Sequence, residues 1–304
     1  MAPKMDLEEV KPLLTIVVPV HNMSGRLTNL SMWLDEARNL NVKVILVHDR
    51  SDDSTGRELF QLVRMKNQGN FSIMEAEVRS PGLARNFGLK EVDTTWFSFA
   101  DADDIVNVSS LLKLLKDTHA SGCDLGIGGY SSTDLRSGLS TLQTPPNSNE
   151  EAIALHLVQS MGLWRLVFFA NKFKDIRFTS HRMGEDFVFT NRVLNQVSQI
   201  KTSPDIVYRY FHGGDLNLTS DKAVMSEMLG VIEVIKSLDT PSKIGQTFKR
   251  FALQKLALSV LKNLPIQKSV IKKISLFTGL ISHPIRLKKI LRKARFEIVD
   301  HTHA

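Results

Sequence analysis

The sequence predicts an α/β fold built on a mostly parallel sheet, and three observations support that prediction. Short apolar, β-prone runs alternate with amphipathic segments from about residue 13 to residue 130, as they do in βαβ units. The apolar runs are nearly continuous, which is typical of strands covered on both faces. The chain has 304 residues, of which 42% are hydrophobic and 23% charged, so it can form one large α/β domain with an appendage.

Each element is predicted from its own pattern of apolar residues. The first strand is a β-branched run that ends at Pro19 and Val20, and the helix after it places Leu30, Trp33 and Leu34 on one face. The predicted strands cover residues 13–20, 42–47, 71–76, 96–100, 125–130 and 207–211. The predicted helices cover residues 26–39, 54–66, 82–89, 111–119, 150–161 and 185–194, and the polar stretch 131–149 is predicted to be a surface loop.

Charge divides the chain into an acidic front and a basic end. Residues 221–304 hold 16 Lys and Arg against 6 Asp and Glu, whereas residues 1–220 hold 23 against 26. The strand pattern stops at the same point. We therefore predict an α/β domain over residues 1–219 and a basic helical region over residues 220–304.

The basic helical region contains two amphipathic segments between residues 266 and 295, separated by Pro284. Basic amphipathic helices bind anionic membrane surfaces. They also occur as subdomains that pack on a neighbouring domain or on a second copy, so both interpretations stay open. Aromatic residues that could stack on bases are not interleaved with the basic ones, which disfavours nucleic acid as a partner.

The sequence also bears on the location of the protein. Cys123 is the single cysteine, so no intramolecular disulfide can form, which fits a reducing compartment. The first ten residues lack the apolar stretch of a signal peptide. No run approaches the roughly 18 apolar residues of a spanning helix. We expect a cytoplasmic protein, with a peripheral position on the inner face of the cell membrane as the alternative.

The most informative segment is the acidic cluster that follows the fourth predicted strand. The apolar run 96–100 ends abruptly in Asp101, Asp103 and Asp104. Like charges this close repel one another, and a hard divalent cation that carries the phosphates of a ligand would neutralise them. Ligands of open α/β sheets bind at the carboxyl ends of the strands. The alternative is a solvated turn whose acids cap the next helix.

Six segments, in order, resemble the family 2 glycosyltransferases of the GT-A fold, over about residues 13–219. Each is weak alone, and together they are specific. They are Thr15-Ile16-Val17-Val18-Pro19-Val20-His21-Asn22, Val44-Ile45-Leu46-Val47-His48-Asp49-Arg50-Ser51-Asp52-Asp53-Ser54-Thr55, Gly82-Leu83-Ala84-Arg85-Asn86-Phe87-Gly88, Phe99-Ala100-Asp101-Ala102-Asp103-Asp104, Gly184-Glu185-Asp186-Phe187-Val188-Phe189 and Tyr208-Arg209-Tyr210-Phe211-His212.

The resemblance implies a metal site at the acidic cluster. Asp103 would bind a Mn²⁺ or Mg²⁺ that bridges the diphosphate of the donor, and Asp101 would meet the ribose or a metal-bound water. On an extended chain end the two side chains would share a face. His212 matches a histidine that reaches the metal or the diphosphate in some relatives, and imidazole is a competent Mn²⁺ ligand. Asp104 is expected either to support the site or to cap the next helix.

The resemblance also implies a nucleotide-sugar site formed by Pro19, Asp49 and Arg85. The family's residue at the position of Asp49 accepts a hydrogen bond from uracil, which favours UDP-sugars, and the guanidinium of Arg85 suits phosphate or a base edge. The segment departs from the family pattern at two positions. His48 stands where the family has Asp, and Arg50 stands where it usually has Gly, so the loop is expected to differ in shape.

Asp186 is the candidate general base. Inverting glycosyl transfer needs a carboxylate that takes the proton of the acceptor hydroxyl, and the resemblance places Asp186 in that role. Glu185 is expected to orient the acceptor or the loop. The alternative for both is an acid pair favoured by the dipole of the helix that they begin.

Together these features predict a metal-dependent, inverting glycosyltransferase. It would move a sugar from a UDP-sugar to a hydroxyl of a glycan or lipid-linked acceptor in surface polysaccharide synthesis. A sugar-phosphate nucleotidyltransferase is disfavoured, because Pro19-Val20-His21-Asn22 stands where a Gly-rich phosphate loop would be needed. A third interpretation, prompted by His48 and Arg50, is an inactive relative that binds glycan or membrane.

Overall fold

The computed structural model describes residues 12–66, 70–213 and 222–263, with side chains described for 227–260 of the last range. Within these residues one nine-stranded sheet forms the centre of the molecule. Its strands are β1 (Leu14–Val20), β2 (Lys43–Asp49), β3 (Phe71–Ala76), β4 (Trp96–Phe99), β5 (Ile105–Val106), β6 (Leu125–Asp134), β7 (Ser140–Gln143), β8 (Leu166–Phe169) and β9 (Ile200–His212).

Helices cover both faces of this sheet. They are α1 (Thr28–Asn39), α2 (Thr55–Lys66), α3 (Pro81–Lys90), α4 (Val108–Ala120), α5 (Glu150–Gln159), α6 (Ala170–Phe173), α7 (Glu185–Gln196), α8 (Lys222–Ser237) and α9 (Lys243–Asn263). Side-chain caps begin several of them. Ser80 caps α3 and Asn107 caps α4, each accepting a hydrogen bond from a backbone N–H of the first turn.

The sheet is parallel in one half and mixed in the other. Its order is β3-β2-β1-β4-β8-β6-β9-β5, with β7 paired to the side of β6. The parallel pairing predicted for the first four strands is confirmed. Beyond β4, strand β8 runs antiparallel to both of its neighbours, while β6 and β9 are parallel to each other. The antiparallel strands lie in the half for which the sequence pattern was least regular.

Two hydrophobic cores lie on opposite faces of the sheet, because successive side chains of a strand point to opposite faces. Ile16 and Val18 of β1 pack with α1, α2 and α4, whereas Val17 between them packs in the other core. That other core includes residues of α3, α5 and α7 and also of α8 and α9. The first two C-terminal helices thus share a core with the α/β fold.

Three predictions about the second half of the fold are wrong or incomplete. The predicted loop 131–149 is wrong in its first part, since β6 continues to Asp134 and pairs with β7 in a hairpin. The last strand begins at Ile200, seven residues before the predicted start. Strand β8 was missed, because its four residues lie between a 3₁₀ turn and a short helix and carry no clear period.

The basic segments predicted between residues 266 and 295 lie outside the described residues. Within the part that the structure describes, no helix is long and apolar enough to cross a membrane. The described C-terminal helices contact the rest of the fold through polar groups as well. The Nζ of Lys255 donates to the carbonyls of Val158 and Gln159 at the end of α5, at 2.7 and 3.0 Å. It thereby satisfies carbonyl groups that the helix itself leaves unpaired.

Pro19 marks the point at which the central strands separate. The N–H of Ala100 donates to the carbonyl of Val17 at 3.1 Å, so this edge of β1 faces β4. Pro19, two residues later, directs its nitrogen to the same edge just beyond the end of β4. A proline is tolerated there because no hydrogen bond of the ladder is lost. The acidic cluster begins at Asp101, directly after this last hydrogen bond to β1.

Candidate active site

The acidic cluster forms a turn rather than an extended chain end. Strand β4 stops at Phe99, and the N–H of Asp104 donates to the carbonyl of Asp101 at 3.3 Å. The expectation that Asp101 and Asp103 share a face of an extended segment is therefore wrong. The turn directs the side chains differently, so that Asp101 is one-third exposed and salt-bridged while Asp103 is exposed.

Arg85 joins three carboxylates that are distant in sequence. Its Nη2 donates to Asp101 at 2.9 Å, and its Nη1 donates to Glu185 at 3.0 Å and to Asp186 at 3.5 Å. The arginine side chain is only 7% exposed, and its buried Nε has no hydrogen-bond partner among the described residues. The guanidinium predicted to contact the nucleotide is thus committed to the acids of the site. It also lies 5.5 Å from the centre of the Phe178 ring.

Burial governs the protonation of the acid pair at the start of α7. It raises the pKa of Glu185, with the charge of Asp186 adding to the rise and Arg85 opposing it. Burial also raises the pKa of Asp186, against the lowering effect of Arg85. One guanidinium cannot neutralise three carboxylates, so the pair holds protons at pH values where free carboxyls are ionised. A carboxylate with a raised pKa is well suited to accept a proton near neutral pH.

Asp104 supports the site and does not cap a helix, since Asn107 caps α4. Its side chain is buried and accepts hydrogen bonds from the Tyr208 hydroxyl at 3.0 Å and from the N–H of Phe211 at 2.8 Å. The same hydroxyl accepts a hydrogen bond from the N–H of Asp101 at 3.0 Å. Strand β9 therefore fixes the acidic turn. Burial, then Asp103 and Asp101, raise the pKa of Asp104 to about 9.

Asp103 is the carboxylate of the cluster that faces solvent. Its backbone carbonyl accepts a hydrogen bond from Asn29 at 2.7 Å, which anchors the turn to α1. Desolvation by the surrounding protein and then the charge of Asp101 raise the pKa of its carboxyl, although Arg26 opposes the rise.

A divalent cation fits the residues present, provided that its remaining ligands come from a substrate and water. Among the described residues, no three His, Cys, Asp or Glu side chains converge as a metal cage. Mg²⁺ typically takes one or two carboxylates and completes its shell with phosphate oxygens and water. Asp101 and Asp103 can supply two hard oxygen ligands of that kind, and the surplus of carboxylates favours a cation beside them.

His212 is the last residue of β9. Its ring stacks on Tyr210, with centroids 5.7 Å apart, and its partner in the sheet register is Asp134 of β6. The rings of Tyr208 and Tyr210 both stack on Trp164, at 4.2 and 5.6 Å. An aromatic ladder thus leads from the acidic turn to His212.

The carboxyl end of β2 is held by pairs across to β3. Asp49 is 3% exposed, and its carboxylate accepts hydrogen bonds from the N–H groups of Val78 and Ser80 at 2.7 and 3.1 Å. The carboxylate predicted to face a nucleobase therefore holds the loop that leads into α3 and Arg85. His48 binds Glu75 at 2.7 Å.

The backbone conformation at Arg50 explains why this position tolerates a residue other than glycine. It forms a salt bridge with Glu77 and is not among the described residues of positive φ, so its position needs no left-handed backbone. An open cavity of about 420 Å³ adjoins this end of β2. The cavity is lined by the His48–Glu75 and Arg50–Glu77 pairs, together with Ser51, Ala76 and Phe87.

Several residues that build the site carried no clear signal in the sequence. Tyr208 was named only as part of the last of the six segments, and Phe178 was not singled out at all. Asn86 fixes the backbone at Phe178. Its amide donates to the carbonyl of Phe178 at 3.0 Å and accepts from the N–H of the same residue at 2.8 Å.

Comparison with known proteins gives consistent results. Residues 15–195 match the model of glycosyl transferase family 2. Glycosyltransferase GlyA of Streptococcus pneumoniae serotype 4 is 24% identical over 196 residues, which cover 59% of this chain and 28% of that protein. The poly(ribitol-phosphate) beta-N-acetylglucosaminyltransferase TarS of Staphylococcus aureus is 22% identical over 205 residues, which cover 64% of this chain and 35% of that protein. The chain thus spans about a third of the length of these relatives.

Solved structures share the fold. The crystal structure of S. aureus TarS residues 1–349 superposes with a TM-score of 0.59 at 18% identity, covering 83% of this chain and 81% of that one. The mannosyltransferase PcManGT from Pyrobaculum calidifontis, in complex with GDP-Man and Mn²⁺, gives 0.55 at 13% identity, covering 95% and 87%. The GT-A fold expected from the sequence is confirmed. Since the family model matches more than half of its residues, the chain belongs to glycosyl transferase family 2.

Proposed function

We propose that this protein is a metal-dependent, inverting glycosyltransferase that moves a sugar from a UDP-sugar to a hydroxyl of a glycan or lipid-linked acceptor. The observation that supports this most directly is the convergence of Asp101, Glu185 and Asp186 on Arg85. It brings the predicted donor-side acid and the predicted base together at the carboxyl edge of the sheet, where such folds bind ligands.

Asp186 serves as the base in this proposal. It takes the proton of the acceptor hydroxyl while that oxygen forms a bond to the anomeric carbon and the bond from that carbon to the nucleoside diphosphate breaks. Arg85 keeps Asp186 oriented, since the two groups lie 3.5 Å apart. Glu185, buried and with a raised pKa, holds the other side of the guanidinium and so keeps the start of α7 in place.

Asp101 and Asp103 would hold a Mn²⁺ or Mg²⁺ ion, which stabilises negative charge on the departing diphosphate when it is bound. His212 is the candidate for a further contact with the ion or the diphosphate.

The cavity beside β2 is the proposed position of the nucleobase. It lies next to the buried Asp49, and Phe87 in its lining offers an aromatic surface. Support for UDP comes from TarS, whose structures include complexes with UDP and with UDP-GlcNAc. GDP-sugars are the alternative to test, because PcManGT was solved with GDP-Man.

Release of the nucleoside diphosphate from a panel of UDP- and GDP-sugars, with Mn²⁺, with Mg²⁺ and with EDTA, tests the proposal. We expect metal-dependent release from one donor, by slow hydrolysis when no acceptor is present. Asp103→Ala and Asp186→Asn should abolish most of it. Asp93→Asn is the matched control, because Asp93 is exposed and pairs with Lys43 away from the site. Failure of every donor with every metal would refute the enzymatic role and favour an inactive relative.

A further inference from the structure

The segment that leads into the acid pair is held by a helix from the C-terminal region. Residues 174–184 connect α6 to α7, and Arg182 is the third residue before Glu185. Both the backbone N–H and the Nε of Arg182 donate to the carboxylate of Glu227 on α8, at 2.7 and 2.9 Å. Because one carboxylate binds the main chain and the side chain of the same residue, it fixes this part of the segment in two directions.

Two further contacts lie on the same side of α8. A Cβ at Gly230 would come within 2.8 Å of the His181 ring, and a Cβ at Gly184 would come within 3.1 Å of Val231. Glu227, Gly230 and Val231 are spaced i, i+3 and i+4, so they form one face of the helix. This face, which we call the brace, meets the segment at His181, Arg182 and Gly184.

Local interactions alone do not fix the start of α7. Gly184 precedes the helix with φ 84° and forms no side-chain capping bond. Such a residue permits several backbone conformations at little cost. The positions of Glu185 and Asp186, the next two residues, therefore depend on the groups that pack against the segment. On the side that faces α8, those groups belong to the brace.

We propose that the brace positions Asp186 for catalysis. Glu227 of the brace and Arg182 of the segment are the principal positioning residues. The inference rests on the proposed role of Asp186 as the base. It gives the described part of the C-terminal region a function in the reaction. The helices after the α/β fold would set the geometry of the active site, whatever the segments further along the chain bind.

The test compares three variants of the full-length protein in donor hydrolysis at saturating donor and metal. Glu227→Ala should lower kcat roughly ten- to a hundredfold, as expected for a small misplacement of a reacting group. The KM for the donor should stay within about twofold, because the donor is held by other residues. Glu227→Gln keeps an oxygen that can accept the Arg182 N–H, and it should recover part of the loss. Glu233→Ala, on the same helix and paired with Lys236 of its own turn, is the control and should match wild type.

Amide hydrogen exchange provides a readout that does not depend on turnover. In Glu227→Ala, exchange should rise across residues 174–190 and remain at the wild-type level in α3, while Tm changes little. Gly230→Ala, which pushes the His181 ring aside, should raise exchange in the same segment. An unchanged kcat in Glu227→Ala would overturn the proposal, as would loss of donor affinity and kcat together. If wild type turns over no donor, the proposed function has failed, and a rise in exchange would then show a structural contact without a catalytic role.

Discussion

Replacing Arg85 by methionine removes the cation that three carboxylates share, while keeping much of the side-chain volume. The guanidinium is buried and lies 2.9, 3.0 and 3.5 Å from Asp101, Glu185 and Asp186. Removing one partner of a buried ionic group costs about 3–5 kcal/mol, because the remaining charges stay desolvated and unpaired. We expect Arg85→Met to lose about that much of the free energy of unfolding at pH 7.

The pH dependence follows from the carboxyl groups that are left behind. The folded-state pKa values of Glu185 and Asp186, already raised by burial, rise further once Arg85 is gone. A folded state with raised carboxyl pKa values binds more protons than the unfolded state, so its stability increases as pH falls. As pH falls, the loss of free energy of unfolding in Arg85→Met should therefore become smaller. It should shrink by about 1.4 kcal/mol per pH unit over the range in which the folded variant binds one proton more than folded wild type.

Urea denaturation at pH 5, 6, 7 and 8, with EDTA and without nucleotide, measures this effect. Arg250→Met is the matched control, because Arg250 pairs with Glu151 where both side chains are largely exposed. It should cost at most about 1 kcal/mol at every pH. The reasoning would be refuted by an Arg85→Met loss below about 1 kcal/mol at pH 7, or by a loss that stays constant from pH 5 to pH 8.

Three further results are expected. Tyr208→Phe removes the hydroxyl that bonds to both Asp101 and Asp104. Urea denaturation should show that the free energy of unfolding falls by about 1–3 kcal/mol. An unchanged midpoint would mean that water replaces the hydroxyl. Gly82→Ala places a Cβ within 2.8 Å of the Glu185 Cγ and 2.9 Å of the Phe178 Cβ. The free energy of unfolding should fall by about 1–3 kcal/mol, and kcat should fall as well. Turnover at the wild-type rate would contradict a tight contact there. The kcat of wild type should fall on the acid side at a pH above the ordinary carboxyl range, since burial raises the pKa of Asp186, the proposed base. A pH profile that is flat down to pH 5 would exclude Asp186 from that role.

The sequence predicted those parts of the fold that depend on local pattern. Strand β3 was predicted with its observed bounds, because its apolar run is enclosed by polar residues on both sides. The second half of β6 was missed because residues 131–134 are polar and half-exposed. They belong to the sheet through backbone pairing with β7 and β9, which leaves no apolar period.

The candidate site shows the same division. The acidic residues could be named from the sequence, because carboxylates after a buried strand and at a helix start are visible locally. Their common partner could not be found in that way, since Arg85 lies 100 residues from Glu185 along the chain. The brace on α8 was missed for a similar reason. Its contact between Arg182 and Glu227 spans 45 residues and depends on how the C-terminal helices fold back.

The charge balance of the site gives a physical reason to expect a cation. Asp101, Glu185 and Asp186 share one guanidinium, and the carboxyls of Asp103 and Asp104 lie beside them with raised pKa values. The diphosphate of a nucleotide-sugar would bring additional negative charge into this region, where Coulomb repulsion is only partly screened. Arg85 offers little compensation, because both of its terminal nitrogens are already directed at carboxylates. In the proposed function, a divalent ion between the acidic turn and the phosphates would supply positive charge with oxygen ligands on both sides, and it would thereby reduce the repulsion that a donor meets.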